Sequence, residues 1–505
     1  MTNYKKKIGK IISDTRKAQK LTQSELARRV GTSQSAINQI ENGARNISIE
    51  MLDQISEALG QDILQINNTG KINFKVVGPT KLSGAVTVNT SKNAAVGLLC
   101  ASLLNKGKTT LRNVARIEEV YRIIEVLTSL GSHVKWVNKN DLEIQHPKRL
   151  RLEDIDVYAA QRTRSILMFL GPLLAQYEKF ELPFSGGCSL GLRTIEPHLN
   201  ALKYFGLEIE TTEHRHCALV RKARSGRAIV LSERGDTATE NVVMAAALFP
   251  FQTIVRNASP NYMVQDVCFF LQKLGVKIRG IGTTTLKIEG LPEINKNVEY
   301  HISEDPIEAM TFVAAALVTN SILTINRVPI EFMELELQKL EEMGLEYEMS
   351  DEYLSRNEKT RLVDITVLKS RLHAPKDKLH AMPFPGINMD NLPFLGLVAT
   401  MAKGRTLVHD WSYENRAIYF TDLMPLGAHV ELVDPHRVYI FGPTDWQSAD
   451  IVAPPALRPS VVILIAMMAA SGKSILRDVY NIKRGYADFA ERLNALGARI
   501  ETIRS

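Results

Sequence analysis

Apolar and polar positions follow two different patterns along this chain, and the change falls near residue 70. Up to Ile66 the apolar marks form four short clusters, Ile8/Ile11/Ile12, Leu26/Val30, Ala36/Ile37/Ile40 and Met51/Leu52/Ile55/Leu59, at the spacing that turns one face of a helix inward. Thr22 and Thr32 or Ser33 stand where N-caps belong, and Gly31 supplies a tight turn between the second and third helices. Residues 1–67 therefore read as a small all-α domain, and Asn67-Asn68-Thr69-Gly70-Lys71 as a short linker to a new domain, 72–505.

Beyond Ile72 one module recurs about every 70 to 80 residues. Its mark is an apolar residue, a glycine and then a strand: Leu130-Gly131, Phe205-Gly206, Leu274-Gly275, Met343-Gly344, Leu426-Gly427 and Leu496-Gly497. Amphipathic helices precede the marks, as at Glu118 to Leu130, Val264 to Leu274, Phe332 to Met343 and Tyr486 to Leu496, so the glycine falls at a helix C-terminus. Each repeat also carries a run that is apolar on nearly all sides: 94–104, 166–175, 242–249, 312–318, 392–401 and 461–470. A helix without a polar stripe must be buried. The predicted fold class is α/β, with six strand-helix repeats in two groups of three and the apolar helices inside.

The residues just ahead of those runs carry the chemistry. Ser91-Lys92-Asn93, Arg162-Thr163-Arg164-Ser165, Thr239-Glu240-Asn241, Asp305 with Glu308, Asn388-Met389-Asp390-Asn391 and Arg458-Pro459-Ser460 stand at the predicted N-termini. Ser91, Thr239 and Ser460 suit capping, but Lys92, Arg164 and Arg458 oppose the helix dipole and call for an anion nearby. A second candidate is the stretch Ser185 to His198, which holds three glycines, Cys188 and Arg193. It reads either as a plain glycine turn or as a mobile loop whose thiol, near cations, has lowered pKa.

Composition adds bounds. With 45% hydrophobic and 23% charged residues the chain matches an ordinary globular protein. Cys100, Cys188, Cys217 and Cys268 are scattered without a CxxC pair, which suggests neither a zinc site nor a disulfide framework and fits a cytoplasmic location. No secretory signal and no membrane span is expected. The net charge of +7 points to an anionic partner.

Much of that charge lies in residues 1 to 30, where nine Lys/Arg face Asp14 and Glu25. On the third helix Gln34, Ser35, Asn38 and Gln39 lie opposite Ile37 and Ile40, and amide and hydroxyl side chains read base edges in a major groove. The run from Leu21 through Gly31 to Gly43 resembles the Cro/C1-type helix-turn-helix family. That resemblance implies that Gln23, Gln34, Ser35, Asn38 and Gln39 face DNA and brings the expectation of a homodimer. A protein-interaction module with a solvated polar face is the competing reading.

Four further stretches, Gly78 to Gly84 with Thr90 to Ala95, Gly186 to Arg193, Glu414-Asn415-Arg416 and Lys483-Arg484-Gly485-Tyr486, together resemble the UDP-N-acetylglucosamine enolpyruvyl transferase family, from about Lys71 to the end. The resemblance implies a two-lobed inside-out α/β barrel of six repeats, with lobe 1 at about 92–264 and lobe 2 at about 72–91 plus 265–505. It implies transfer of the enolpyruvyl group of phosphoenolpyruvate to the 3-hydroxyl of UDP-N-acetylglucosamine, with release of phosphate and no metal or other cofactor. This is the first committed step of peptidoglycan synthesis. By carry-over Cys188 is the general acid and the site of alkylation by fosfomycin, and Asp390 holds or deprotonates the sugar hydroxyl. Lys92, Arg193, Arg458 and Arg484 bind phosphoenolpyruvate, Asn93 the amino sugar and Arg164 a substrate anion, while Asp266 and Arg416 serve the closed state.

The sequence also departs from that family's pattern. Ala456 replaces the usual aspartate two residues before the arginine of the sixth helix, Asn388-Met389-Asp390-Asn391 replaces the usual surroundings of the catalytic aspartate, and Thr194 stands where proline is common. Two alternatives follow: an enolpyruvyl transferase acting on another nucleotide, and a DNA-binding regulator that uses a degenerate transferase domain to sense a precursor.

Overall fold

A computed structural model describes residues 3–19, 21–45, 47, 49–59, 72–184, 194–212, 215–221, 228–412 and 415–504. The N-terminal domain comprises α1 (Asn3–Ala18), α2 (Gln23–Val30), α3 (Gln34–Glu41) and α4 (Ile49–Leu59). Thr22 and Glu25 form a reciprocal capping box on α2, Ser33 caps α3, and Gly31 between them adopts φ 69°. Ile12, Leu26, Ile37 and Ile55 close the core at 0% exposure. Among them runs a buried ion pair: Arg16 donates from Nε and Nη2 to the two Glu41 oxygens at 2.6 and 2.9 Å, and from Nη1 to the Leu21 carbonyl.

From residue 72 on, the described residues form six separate sheets around the apolar helices. Five of the expected core helices are α-helical: Lys92–Ser102, Asp236–Ala246, Pro306–Val318, Leu392–Ala399 and Leu457–Ala469. The second differs, beginning as a 3₁₀ helix over Arg164–Phe169 and becoming α-helical at Leu170–Leu174. All six glycines of the repeat mark have φ between 88° and 109°, a left-handed conformation that ends a helix and redirects the chain into a strand.

The regular repeat is a strand, a core helix and a parallel strand. Strands Ile229–Val230 and Gln252–Arg256 flank the helix Asp236–Ala246 and pair in parallel; Leu379–His380 with Gly404–His409 and Asp450–Val452 with Gly472–Arg477 repeat the arrangement. Two repeats exchange strands. Ala85–Thr87 leads into the helix Lys92–Ser102 but pairs with Leu323–Pro329, whereas Val298–His301 leads into Pro306–Val318 but pairs with Thr109–Arg112. The chain thus crosses between lobes twice, at 88–91 and 302–305. The two crossings lie side by side, joined by Ser91 N–H to the Ser303 carbonyl and Asp305 N–H to the Asn89 carbonyl.

This moves the expected boundary at 264/265. The helix Tyr262–Leu274 and strands 277–279, 285–289 and 298–301 belong with lobe 1, because Thr285–Glu289 pairs with Gln252–Arg256 and Val298–His301 with Thr109–Arg112. The strand Ile72–Gly78 lies with lobe 2, since it pairs with Gly472–Arg477 and Ile500–Arg504.

Candidate active site

A cavity of about 330 Å³ is lined by both lobes. Of the expected site residues, Lys92, Asn93, Arg164, Asp390, Arg416, Arg458 and Arg484 line it. They come from segments up to almost 400 positions apart. Cys188 and Arg193 lie outside the described residues. Asp266 is not among the lining residues. It is buried, and accepts hydrogen bonds from Tyr300 Oη at 2.6 Å and from Ser303 Oγ and N–H at 2.7 and 3.0 Å, so it ties the last helix of lobe 1 to the second crossing. Burial pushes its carboxyl up to about 6, against those donors.

Lys92 is the first residue of its helix, whose N-cap is Ser91. The anion that the lysine calls for is supplied by the protein: Lys92 Nζ lies 2.8 Å from Glu119 Oε2. The other Glu119 oxygen accepts from Thr163 Oγ1 at 3.2 Å and Ser165 Oγ at 3.0 Å. One carboxylate therefore gathers Lys92 and the residues either side of Arg164 onto a single wall. Burial pushes the Glu119 carboxyl up, but the Lys92 ammonium, its hydrogen bond and the nearby Arg484 outweigh it and leave the pKa at about 2. Glu119 was not singled out in the sequence because a glutamate in the first turn of an amphipathic helix reads as an ordinary complement to the dipole.

Asp390 is placed by a second network. Its N–H donates to Asn388 Oδ1 at 2.9 Å, and Glu336 Oε1 accepts from Asn388 N–H and Asn391 Nδ2, both at 3.0 Å. Arg416, 4% exposed, donates from Nη2 to the Met389 carbonyl and from Nε to Asp410. Arg416 thus fixes the backbone that presents Asp390. Opposite, Asp390 Oδ2 lies 3.6 Å from Arg458 Nη2.

Arg458 is the second residue of a helix whose N-cap, Ala456, makes no side-chain bond. Arg484 follows on the short helix Tyr480–Gly485. A Cβ at Gly485 would lie 2.1 Å from Leu457 Cδ2, so a larger residue there would push the Leu457 side chain aside. Arg484 Nε is buried and makes no hydrogen bond among the described residues. Thr239 and Ser460, expected as caps, lie one turn inside their helices and donate back to the Gly235 and Ala456 carbonyls. The helices begin at Asp236 and Leu457, earlier than the apolar runs suggested.

On the lobe 1 side, Asn93 Nδ2 donates to Tyr262 Oη at 3.3 Å. His198 also lines the cavity; its Nδ1 accepts from Asn241, and its Nε2 lies 3.3 Å from Thr237 Oγ1. Burial and then Arg164 push its pKa down to about 4, so it is neutral near pH 7. Glu240, 1% exposed, is pushed well up by burial, with Asp236 and Asp266 adding to it. An acid biased toward its neutral form leaves the cations dominant in the cavity. Such a surface suits phosphate and carboxylate groups, which guanidinium forks bind in bidentate fashion. Among the described residues no His, Cys, Asp and Glu side chains are grouped to hold a metal ion.

Residues 76–493 match the family model of EPSP synthase (3-phosphoshikimate 1-carboxyvinyltransferase). The chain belongs to the enolpyruvyl (1-carboxyvinyl) transferase family. Relatives named UDP-N-acetylglucosamine 1-carboxyvinyltransferase include those of Treponema denticola, 32% identical over 85% of this chain and 98% of the relative, and Bradyrhizobium diazoefficiens, 33% identical over 86% and 98%. Among solved structures, the enolpyruvyl transferase NikO from Streptomyces tendae has the same fold. It superposes with a TM-score of 0.72 at 21% identity, over 86% of this chain and 100% of that one.

Residues 12–66 match the helix-turn-helix family model. Gln34, Ser35, Asn38 and Gln39 are exposed on α3 while Ala36, Ile37 and Ile40 are buried. Gln23 is half-buried and donates to Glu41 Oε2 at 2.9 Å. Ser24 Oγ donates to Gln34 Oε1 at 3.0 Å, so neighbouring helices hold part of the polar face in place. Among the described residues no helix is long and apolar enough to cross a membrane.

Proposed function

We propose that this protein transfers the enolpyruvyl group of phosphoenolpyruvate to the 3-hydroxyl of UDP-N-acetylglucosamine and releases phosphate. The observation that carries the reading is the meeting of Lys92, Arg458, Arg484 and Asp390 around one cavity, with Asp390 3.6 Å from Arg458. The names of the relatives point to the same acceptor.

In this reading Lys92, Arg193, Arg458 and Arg484 bind the phosphate and carboxylate of phosphoenolpyruvate and oppose the charge that develops. Asp390 takes the proton of the acceptor hydroxyl as its oxygen bonds to C2, while Cys188 delivers a proton to the methylene carbon. The bond from C2 to the phosphate oxygen then breaks as the Cys188 thiolate takes back a methyl proton, and the double bond returns. Asn93 contacts the amino sugar and Arg164 an acceptor anion. Asp266 and Arg416 hold the lobes and the Asp390 segment in register. The N-terminal domain binds DNA through Gln23, Gln34, Ser35, Asn38 and Gln39, and a cytoplasmic location agrees with the free thiols of Cys100, Cys217 and Cys268.

The test is phosphate release from phosphoenolpyruvate with and without UDP-N-acetylglucosamine, on the wild type and on Cys188→Ser. Release that depends on the nucleotide sugar and is lost in the variant is expected. Absence of release from folded wild type would sink the reading in favour of a precursor-sensing regulator. Release with a different nucleotide alone would replace the acceptor, the outcome that Ala456 makes worth including.

A further inference from the structure

We propose that Tyr486 is a positioning residue for Arg458, setting which guanidinium N–H groups face the cavity. This rests on the reading that the cavity takes phosphoenolpyruvate. Arg458 is 8% exposed, and Ala456 at the start of its helix offers no side-chain partner. Its restraint comes from another segment: Nη1 donates to Tyr486 Oη at 2.8 Å, and the guanidinium carbon lies 5.3 Å from the centre of the Tyr486 ring. Tyr486 is itself buried and packs on Phe489, with ring centres 4.7 Å apart.

The hydrogen bonds beyond Tyr486 have only one consistent direction. Tyr486 Oη and Thr311 Oγ1 are 2.8 Å apart, and Thr311 Oγ1 is 2.7 Å from the Ile307 carbonyl. Arginine has no acceptor, so the Tyr486 oxygen must accept from it. The Ile307 carbonyl takes the single Thr311 proton, so Thr311 receives that of Tyr486. The chain runs Arg458 to Tyr486 to Thr311 to Ile307, each donor used once, and ends on the first turn of the helix Pro306–Val318. With Nη1 committed, the guanidinium plane cannot rotate without breaking a buried, charge-assisted bond. Bidentate recognition of a phosphate or carboxylate depends on that plane.

Tyr486→Phe keeps the ring, its packing and the contact with the cation, and removes only the hydroxyl. In the full-length protein it is expected to raise the KM for phosphoenolpyruvate about tenfold, the weight of a hydrogen bond to a charged group. The KM for the acceptor should stay close to wild type, and the Tm should fall by no more than about 4 °C, the cost of leaving Arg458 Nη1 without its acceptor in a unit of this size. Thr311→Val should act in the same direction and Thr311→Ser recover most of the loss. In an Arg458→Ala background Tyr486→Phe should add nothing. A Tyr486→Phe variant equal to the wild type, or one that raises both KM values alike, overturns the positioning role. Wild type that neither releases phosphate nor binds phosphoenolpyruvate by calorimetry overturns the reading of the cavity and this role with it.

Discussion

Glu119→Gln removes one negative charge and almost no volume from the wall that holds Lys92. In the folded protein burial opposes ionisation of Glu119, yet Lys92 and its hydrogen bond bring the pKa from 4.5 down to about 2. That difference corresponds to about 3 kcal/mol of stability at neutral pH. For a unit of this size the variant should melt on the order of 4 °C lower. Because the folded pKa is depressed, the contribution is present above pH 4.5 and is lost as pH falls toward 2; about 1 kcal/mol or more is gone by pH 3.5. Urea midpoints of wild type and variant, compared from pH 7 downward, should therefore converge below pH 4.5. The same variant releases Lys92 and the Thr163–Ser165 segment, so the KM for phosphoenolpyruvate should rise. Equal stability at pH 7, or a gap that fails to narrow in acid, would refute the reasoning.

His146, held between Ser102 and Ser132, is pushed down to about 4 by burial. Its neutral form favours folding above pH 6.5, and about 3 kcal/mol is lost as pH falls from there to 4; in His146→Gln the urea midpoint should fall less steeply over that window. Arg16→Met leaves Glu41 buried without its cation, a loss of about 3–5 kcal/mol. Limited proteolysis of the full chain should then cut before residue 70, while phosphate release persists. Once a preferred DNA sequence has been selected, Gln34→Ala should weaken it by about 1–3 kcal/mol with little effect on other sequences, whereas Arg28→Ala, which removes one of the nine cations of residues 1 to 30 at an exposed position of α2, should weaken all sequences alike and flatten the salt dependence. Affinity measured at several salt concentrations separates the two.

The positions of glycines and apolar runs determined much of this protein. Six glycines past six helices could be read in the sequence because a left-handed helix terminus excludes most other residues. The six core helices were visible because a helix with no polar face has to be enclosed. The cations ahead of them stood out because they contradict the local electrostatics. These are constraints that act within a few residues.

What the sequence left open depends on partners far apart in the chain. Nothing near Lys92 announces that Glu119 will neutralise it, and nothing near Arg458 announces Tyr486, 28 residues on and bonded at 2.8 Å. The strand exchange at 88–91 and 302–305 was likewise invisible, because either strand has the same pattern whichever sheet it joins. Charge and burial fix which residue types the cavity needs. Only the tertiary structure decides which carboxylate meets which cation, since that follows from how two lobes built on crossed strands bring their helix N-termini together.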